Sequence, residues 1–341
     1  MINNIISGEY KEYMKDYNYY KTITDIVAKN NDIYNKFKCD ELIPLEKVPL
    51  LREPDEGMRY ILQNKNLDKY LVIETSTSFY WVDTRLRLYE IKNLDINVSK
   101  YLHDNDQLNP DGVQKKLFVF SYIEGDSLKS YLDKVDKNVA YDLGKQLARI
   151  LKEIHSVKVD SLIHHIVNWK NRYAWEIKNI IKEYQSNELT DNAYSFYKNN
   201  SNLIDIYNKS SLCTYDENGK VIIENLLSFI NGEIKPENLI VNNGKIGVKS
   251  SINIDITDPF YDFKYLSLIA LENEYFASGI INGYFNENVP KRFFEMLKFY
   301  TSELIITGYN KTLTKETISK ILYSYDDFNI DIPKWYNNNL I

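Results

Sequence analysis

Residues 231 to 262 constrain this chain more than any other stretch. A polar loop, Asn-Gly-Glu-Ile-Lys-Pro-Glu-Asn, leads into an apolar strand, a tight turn and a second apolar strand over Leu239 to Val248, and the stretch ends in Asp-Pro-Phe-Tyr-Asp. Any fold for the chain must hold this hairpin between two polar, acid-bearing segments.

At 341 residues the chain is long for one compact unit. Single cores stop growing near about 250 to 300 residues, so two lobes with a cleft are expected. The hydrophobic and charged fractions, 44% and 26%, are those of a globular protein and exclude general disorder. A net charge of -6 gives no cationic footprint for a phosphate backbone, which argues against a nucleic-acid partner. An acidic cleft would suit a cationic substrate, although whole-chain charge does not locate the carboxylates. The two cysteines, Cys39 and Cys213, show no metal spacing and are expected to be reduced thiols. No basic leader and no run of about 18 apolar residues is seen, so a cytoplasmic protein without a membrane partner is expected. The 29 tyrosines are scattered and read as compositional bias.

Periodicity orders the rest. Ile23, Ile26, Val27, Ile33 and Phe37 fall at helical spacing, which predicts a helical extension over residues 1 to 40. Strand-like runs follow at Leu42 to Leu51, Met58 to Gln63 and Tyr70 to Glu74, broken by Pro54-Asp55-Glu56-Gly57 and Asn64-Lys65-Asn66. Leu86, Ile91 and Leu94 suggest a helix from Thr84 to Leu94, and Leu117 to Gly125 reads as a buried strand ending at a glycine. Leu143, Leu147, Ile150, Leu151 and Ile154 form one stripe on a helix from Val139 to Ile154. Residues 169 to 227 read as helical with polar breaks. Helices are also expected over 263 to 282, 290 to 308 and 314 to 323, with Pro290 near the start of one and Gly308 just past its end.

The loop, the hairpin and the Asp-Pro-Phe-Tyr-Asp run together resemble the catalytic core of the aminoglycoside phosphotransferase and choline kinase families, which share the protein-kinase-like fold. There the order is His-Gly-Asp, four residues, Asn, a hairpin, Ile-Asp-Phe and Asp-Pro-x-Tyr-Asp. The resemblance covers roughly residues 58 to 310 and is specific between 117 and 266. It implies a bilobal α+β fold: residues 41 to 124 as a small antiparallel-sheet lobe with a helix, and 125 to 341 as a mostly helical lobe. Ser121, Tyr122 and Ile123 would form the hinge that meets the nucleotide. Glu153-Ile154-His155-Ser156 is similar to the family's Leu-His-Ser, and His155 reads as a helix-terminal cap interacting with the dipole.

In that frame Asn231 stands at the family's His, Glu233 at its catalytic Asp, Asn238 at its metal-binding Asn, and Ser250 at its magnesium-binding Asp. Phosphoryl transfer needs ATP and magnesium held in line with an acceptor hydroxyl while developing charge is neutralised. Glu233 keeps a carboxylate but carries it on the order of 1 Å out of place, and general-base catalysis is worth typically ~10² to 10⁴ in rate. Ser250 is the graver change, because magnesium sites rely on one or two carboxylates with phosphate oxygens. Asp255 or Asn253, just past Ser250, could supply a replacement ligand. Asp258 and Asp262 read as scaffold that accepts backbone N–H groups. Lys69 and Glu74 are the residues nearest the family's phosphate-gripping strand Lys, and Glu90 reads as a solvated helix charge. His103, His155, His164 and His165 assemble no zinc or Ser-His-Asp site, and His164-His165 reads as a polar loop pair.

Three functions stay open. One is a degenerate phosphotransferase, a pseudokinase that binds a nucleotide or small molecule without efficient transfer. Another is an active ATP-dependent kinase for an amine, sugar or antibiotic hydroxyl with Glu233 as base. The third is a regulatory module that docks a protein partner.

Overall fold

The computed structural model describes residues 36–37, 39–49, 56–64, 66–76, 88, 90–108, 114–157, 163–204, 214–215, 221–222, 228–232, 234–249, 254–309 and 311–337. Most of the expected N-terminal extension, together with Glu233, Ser250, Asn253 and Cys213, lies outside the described residues. The chain forms two compact units, Met1–Trp81 with Lys100–Tyr122, and Val82–Ser99 with Ile123–Ile341.

The first unit is built on five antiparallel strands, β1 Cys39–Pro49, β2 Glu56–Asn64, β3 Lys69–Ser76, β4 Tyr101–Leu108 and β5 Gln114–Ser121. Their order across the sheet is β1-β2-β3-β5-β4. Asn64 fixes the β2–β3 turn: its side-chain oxygen accepts the N–H groups of Asn66 at 2.9 Å and Asp68 at 2.8 Å. An Asn side chain that bonds its own backbone two residues on is a built-in turn. Tyr60, Leu62, Val72, Leu117 and Val119 pack with helical Phe37 as the core. Strand β4 was not expected from the sequence. It is an edge strand, and the pattern Tyr-Leu-His-Asp-Asn-Asp-Gln-Leu is polar because charged side chains blunt an open edge.

The second unit is mainly helical: α1 Leu128–Leu132, α2 Lys137–His155, α3 Ile163–Glu183, α4 Asp191–Asn199, α5 Leu266–Glu272, α6 Glu274–Phe285, α7 Lys291–Gly308 and α8 Lys315–Ser324. Asp136 caps α2 by accepting the N–H groups of Asn138 and Val139. The stripe read from the sequence is buried, and Leu143, Leu147, Leu151 and Ile154 are at most 1% exposed. Helices α2 and α6 meet backbone to backbone: a Cβ on Gly144 would land on the Phe276 carbonyl oxygen, and one on Gly279 on the Tyr141 carbonyl oxygen.

Several sequence expectations need correction here. His164 and His165 lie in the first turn of α3, not in a loop. The helical reading of 169 to 227 fails at its end, where β7 Thr214–Tyr215 pairs with β8 Val221–Ile222. The single helix expected over 263 to 282 is two helices, because Asn273 ends α5 in extended conformation and caps α6 by accepting the Phe276 N–H at 2.9 Å. Pro290 is the N-cap of α7, and Gly308 is its last residue.

Candidate functional site

Two short sheets frame the loop. Strand β9 Ser228–Ile230, which leads into it, pairs with β12 Asp255–Thr257. The hairpin of β10 Leu239–Asn242 and β11 Lys245–Val248 follows it and adds the two-residue strand Asp126–Ser127, β6. Between them the chain turns through residues 231 to 238 and ends in the 3₁₀ turn Pro236–Asn238. The hairpin stands where the sequence placed it.

The loop hangs on one carboxylate. Asp262 Oδ2 accepts the Asn231 N–H at 2.8 Å, and Oδ1 accepts the Gly232 N–H at 2.7 Å. Gly232 has φ of 75°, a left-handed conformation in which any side chain would be strained, so the glycine is what lets both N–H groups converge. Asp262 also meets His155 Nε2 at 3.0 Å, while His155 Nδ1 lies 2.7 Å from the Tyr284 hydroxyl. A carboxylate only accepts, so Nε2 is the donor, and in the neutral ring Nδ1 takes the phenol proton. Burial, and then the nearby Asp262 and Asp258 carboxylates, push the Tyr284 phenol above its ordinary range, which keeps it a donor. The close contact of α2 and α6 is what brings His155 and Tyr284 together. His155 is therefore a buried link into the loop, not the dipole-stabilised cap that its place at a helix end suggests.

Asp258 is the second scaffold carboxylate. It caps the 3₁₀ turn Pro259–Phe263 through the Phe260 N–H at 2.9 Å and accepts the Tyr300 hydroxyl at 2.7 Å. The sequence assigned such structural roles to both carboxylates, and the hydrogen bonds show how they are filled. Two residues past Asp262, Lys264 pairs with Glu303 at 2.6 Å, deep in the unit. Glu303 also accepts Tyr173 of α3 at 2.9 Å and Tyr197 of α4 at 3.3 Å. Burial alone would lower the Lys264 ammonium, but the Glu303 carboxylate together with the Tyr261 and Tyr265 side chains more than offsets it and holds the group above its usual range. This network fixes α3, α4 and α7 to the segment that carries Asp262.

The residues expected to do chemistry are placed less uniformly. Asn231 is 3% exposed, and its side-chain NH₂ has no hydrogen-bond partner among the described residues, although its backbone is held by Asp262. Asn238 is buried at the end of the turn. Its N–H donates to the Lys235 carbonyl at 3.0 Å, and its carbonyl accepts the Lys249 N–H at 2.9 Å. Asp255 lies on strand β12, not on a loop. It pairs with Ile230, the residue just before the loop, and is 6% exposed. Glu233 and Ser250 lie outside the described residues.

Of the hinge candidates, Ser121 ends β5: its Oγ accepts the Lys100 N–H at 2.7 Å, and its own N–H donates to the Lys100 carbonyl at 2.8 Å. Tyr122 closes the first unit with the Lys69 ammonium 5.6 Å from its ring centre, and Ile123 opens the second. Glu90 is exposed, as a solvated charge would be. Lys249 follows β11, and its Nζ reaches the Glu237 carbonyl at 3.1 Å.

Among the described residues, no three His, Cys, Asp or Glu side chains group closely enough to hold a metal ion. Nor is any described helix long and apolar enough to cross a membrane.

No family model and no curated protein matches the chain. Solved structures do. The chain is similar to the GDP complex of wild-type aminoglycoside 2'-phosphotransferase-IIIa, with a TM-score of 0.55 and 14% identity, covering 89% of this chain and 98% of that one. It is similar to amicoumacin kinase hAmiN in complex with AMP-PNP, Ca²⁺ and Ami, with a TM-score of 0.54 and 12% identity over 91% and 96% of the two chains. A thermostable mutant of aminoglycoside phosphotransferase APH(4)-Ia in its apo form gives 0.54 and 9% over 85% and 97%. The chain therefore has the mixed α/β, kinase-like fold of the aminoglycoside phosphotransferases, with an antiparallel sheet in its N-terminal region, as the loop and hairpin implied.

Proposed function

We propose that this protein is a degenerate member of the aminoglycoside-phosphotransferase-like kinases, a pseudokinase that binds a nucleotide or small molecule and transfers phosphoryl groups poorly or not at all. One observation carries the reading: Asp262, backed by His155 and Tyr284, holds the loop backbone at Asn231 and Gly232, while the side chains at the reacting positions have changed. Among the described residues, the hydrogen bonds that hold such a loop are in place. Asn231, Glu233 and Ser250 replace the His, the catalytic Asp and the metal Asp that the resemblance calls for. A missing metal carboxylate outweighs a misplaced base: two unit charges at ~4 Å interact by roughly 4 kcal/mol at an effective dielectric of 20, and a dication doubles that.

Structures with this fold hold GDP or AMP-PNP, which supports a nucleotide as ligand here. The second reading is an active ATP-dependent kinase with Glu233 as base and Asn238 and Asp255 around magnesium. It is favoured by the burial of Asp255 on the strand that pairs with the residue before the loop. An ADP-release assay over a panel of amine, sugar and antibiotic hydroxyls separates the two. Turnover that vanishes in Glu233→Gln establishes the kinase, and background rates in both proteins establish the pseudokinase.

A further inference from the structure

Past α8 the chain reverses through a strained turn. Asp326, Asp327 and Phe328 have φ of 51°, 52° and 68°, three consecutive residues in the left-handed region that L-residues ordinarily visit one at a time. Such strain persists only where the surroundings impose it, and it collects at segments that switch. Phe328 is the foot of the turn, buried, with its ring centre 5.5 Å from those of Tyr325 and of Phe196 on α4. Lys334 closes the turn from the other side: its N–H donates to the Ser324 carbonyl at 2.8 Å, and its ammonium pairs with Asp326 at 3.0 Å.

The turn lays residues 331 to 337 across the helices as a strap. Asp331 pairs at 3.2 Å with Lys298 of α7, whose side chain is only 4% exposed. The Tyr336 ring centre is 5.0 Å from that of Phe294 on α7, and its hydroxyl donates to Asn282 Oδ1 of α6 at 2.6 Å. The Asn337 N–H donates to Ser278 Oγ at 3.2 Å, one turn back along α6. Ser278 and Asn282 are both buried. Asn282 hands the contact on, because its NH₂ donates to the Tyr141 hydroxyl of α2 at 3.0 Å. One buried amide thus joins the strap, α6 and α2. Two residues further along α6 stands Tyr284, whose phenol meets His155 at the end of α2, and His155 donates to the carboxylate that holds Asn231 and Gly232. Because α2 and α6 are packed backbone to backbone, α6 cannot shift without disturbing that relay.

We propose that residues 331 to 337 are a latch on the loop: docked, the strap holds α6 against α2 and keeps the Tyr284–His155–Asp262 relay closed on Asn231 and Gly232, and released, it frees that loop. The strained turn at 326 to 328 favours release, and the Asp331–Lys298 and Tyr336–Asn282 contacts oppose it. The latch goes beyond the proposed function and applies to a pseudokinase and an active kinase alike.

The test is amide hydrogen exchange on the full chain, comparing wild type with the double variant Asp331→Asn, Tyr336→Phe. Both substitutions keep the shape of the side chain, so the variant is expected to fold. Losing one charge-assisted and one neutral hydrogen bond should speed exchange of the Asn231 and Gly232 amides about tenfold or more. Amides of Val72 in the first unit and of Phe299 in α7 should change much less. Should the double variant fail to fold, Tyr336→Phe alone carries the test, with a rise of about threefold at the same two amides. Unchanged exchange at Asn231 and Gly232 overturns the latch, and so does an equal rise at Phe299, which would make the strap a general stabiliser of the unit.

Discussion

The two faces of one loop contrast sharply. On the scaffold face, Asp262 accepts two backbone N–H groups and the His155 ring, His155 is held by Tyr284, and Lys264 and Glu303 are tied to Tyr173 and Tyr197. On the other face, the buried Asn231 NH₂ has no acceptor among the described residues, and the Lys249 ammonium sits on the Glu237 carbonyl. Buried polar groups are almost always satisfied, so the scaffold follows the rule and Asn231 departs from it. The proposed pseudokinase reading expects such a difference: folding needs the cradle, while the reacting side chains of a pseudokinase escape the demands of phosphoryl transfer.

The largest way to break the scaffold is alkali. Burial raises the phenols of Tyr173, Tyr197, Tyr261 and Tyr284 above the ordinary tyrosine value, with Glu303 adding to the first three. A raised folded pKa means the stabilisation is fully present below the unfolded value of about 10 and is lost as pH rises through the folded value. Each phenol that ionises only on unfolding should cost up to about 1.4 kcal/mol per pH unit above about pH 10. Lys264, also raised, contributes in the same direction. Thermal melts from pH 8 to 11 should show a flat region and then a steep fall; a flat profile to pH 11 would contradict the buried tyrosine network.

Next in size is Asp262→Ala. Three buried donors lose their acceptor, and urea unfolding should show a loss of about 3–4 kcal/mol. The sharpening control is Asn231→Leu, which keeps the branching of the side chain and has no NH₂ to satisfy. Because an unsatisfied buried donor is itself a cost of about 1–3 kcal/mol, this change should be neutral or stabilising by up to about 1 kcal/mol. A loss at Asn231→Leu as large as that at Asp262→Ala would erase the contrast between the faces.

Much of the frame was legible in the sequence, because the hairpin and helix α2 carry strong local patterns over many residues. Strand β4 was not, since an edge strand has no apolar alternation to read, and β12 was missed because three residues are too short for a period. The structural roles of Asp258 and Asp262 followed from their motif. His155 could not be placed from the sequence: its partners lie 107 and 129 residues away, and only the close packing of α2 on α6 joins them.

The central claim, a kinase cradle without kinase chemistry, is tested most directly by ADP release from ATP and magnesium over a panel of hydroxyl acceptors, with wild type and Glu233→Gln side by side. The account predicts background rates for both proteins. Acceptor-dependent turnover in the wild type that disappears in Glu233→Gln would contradict it.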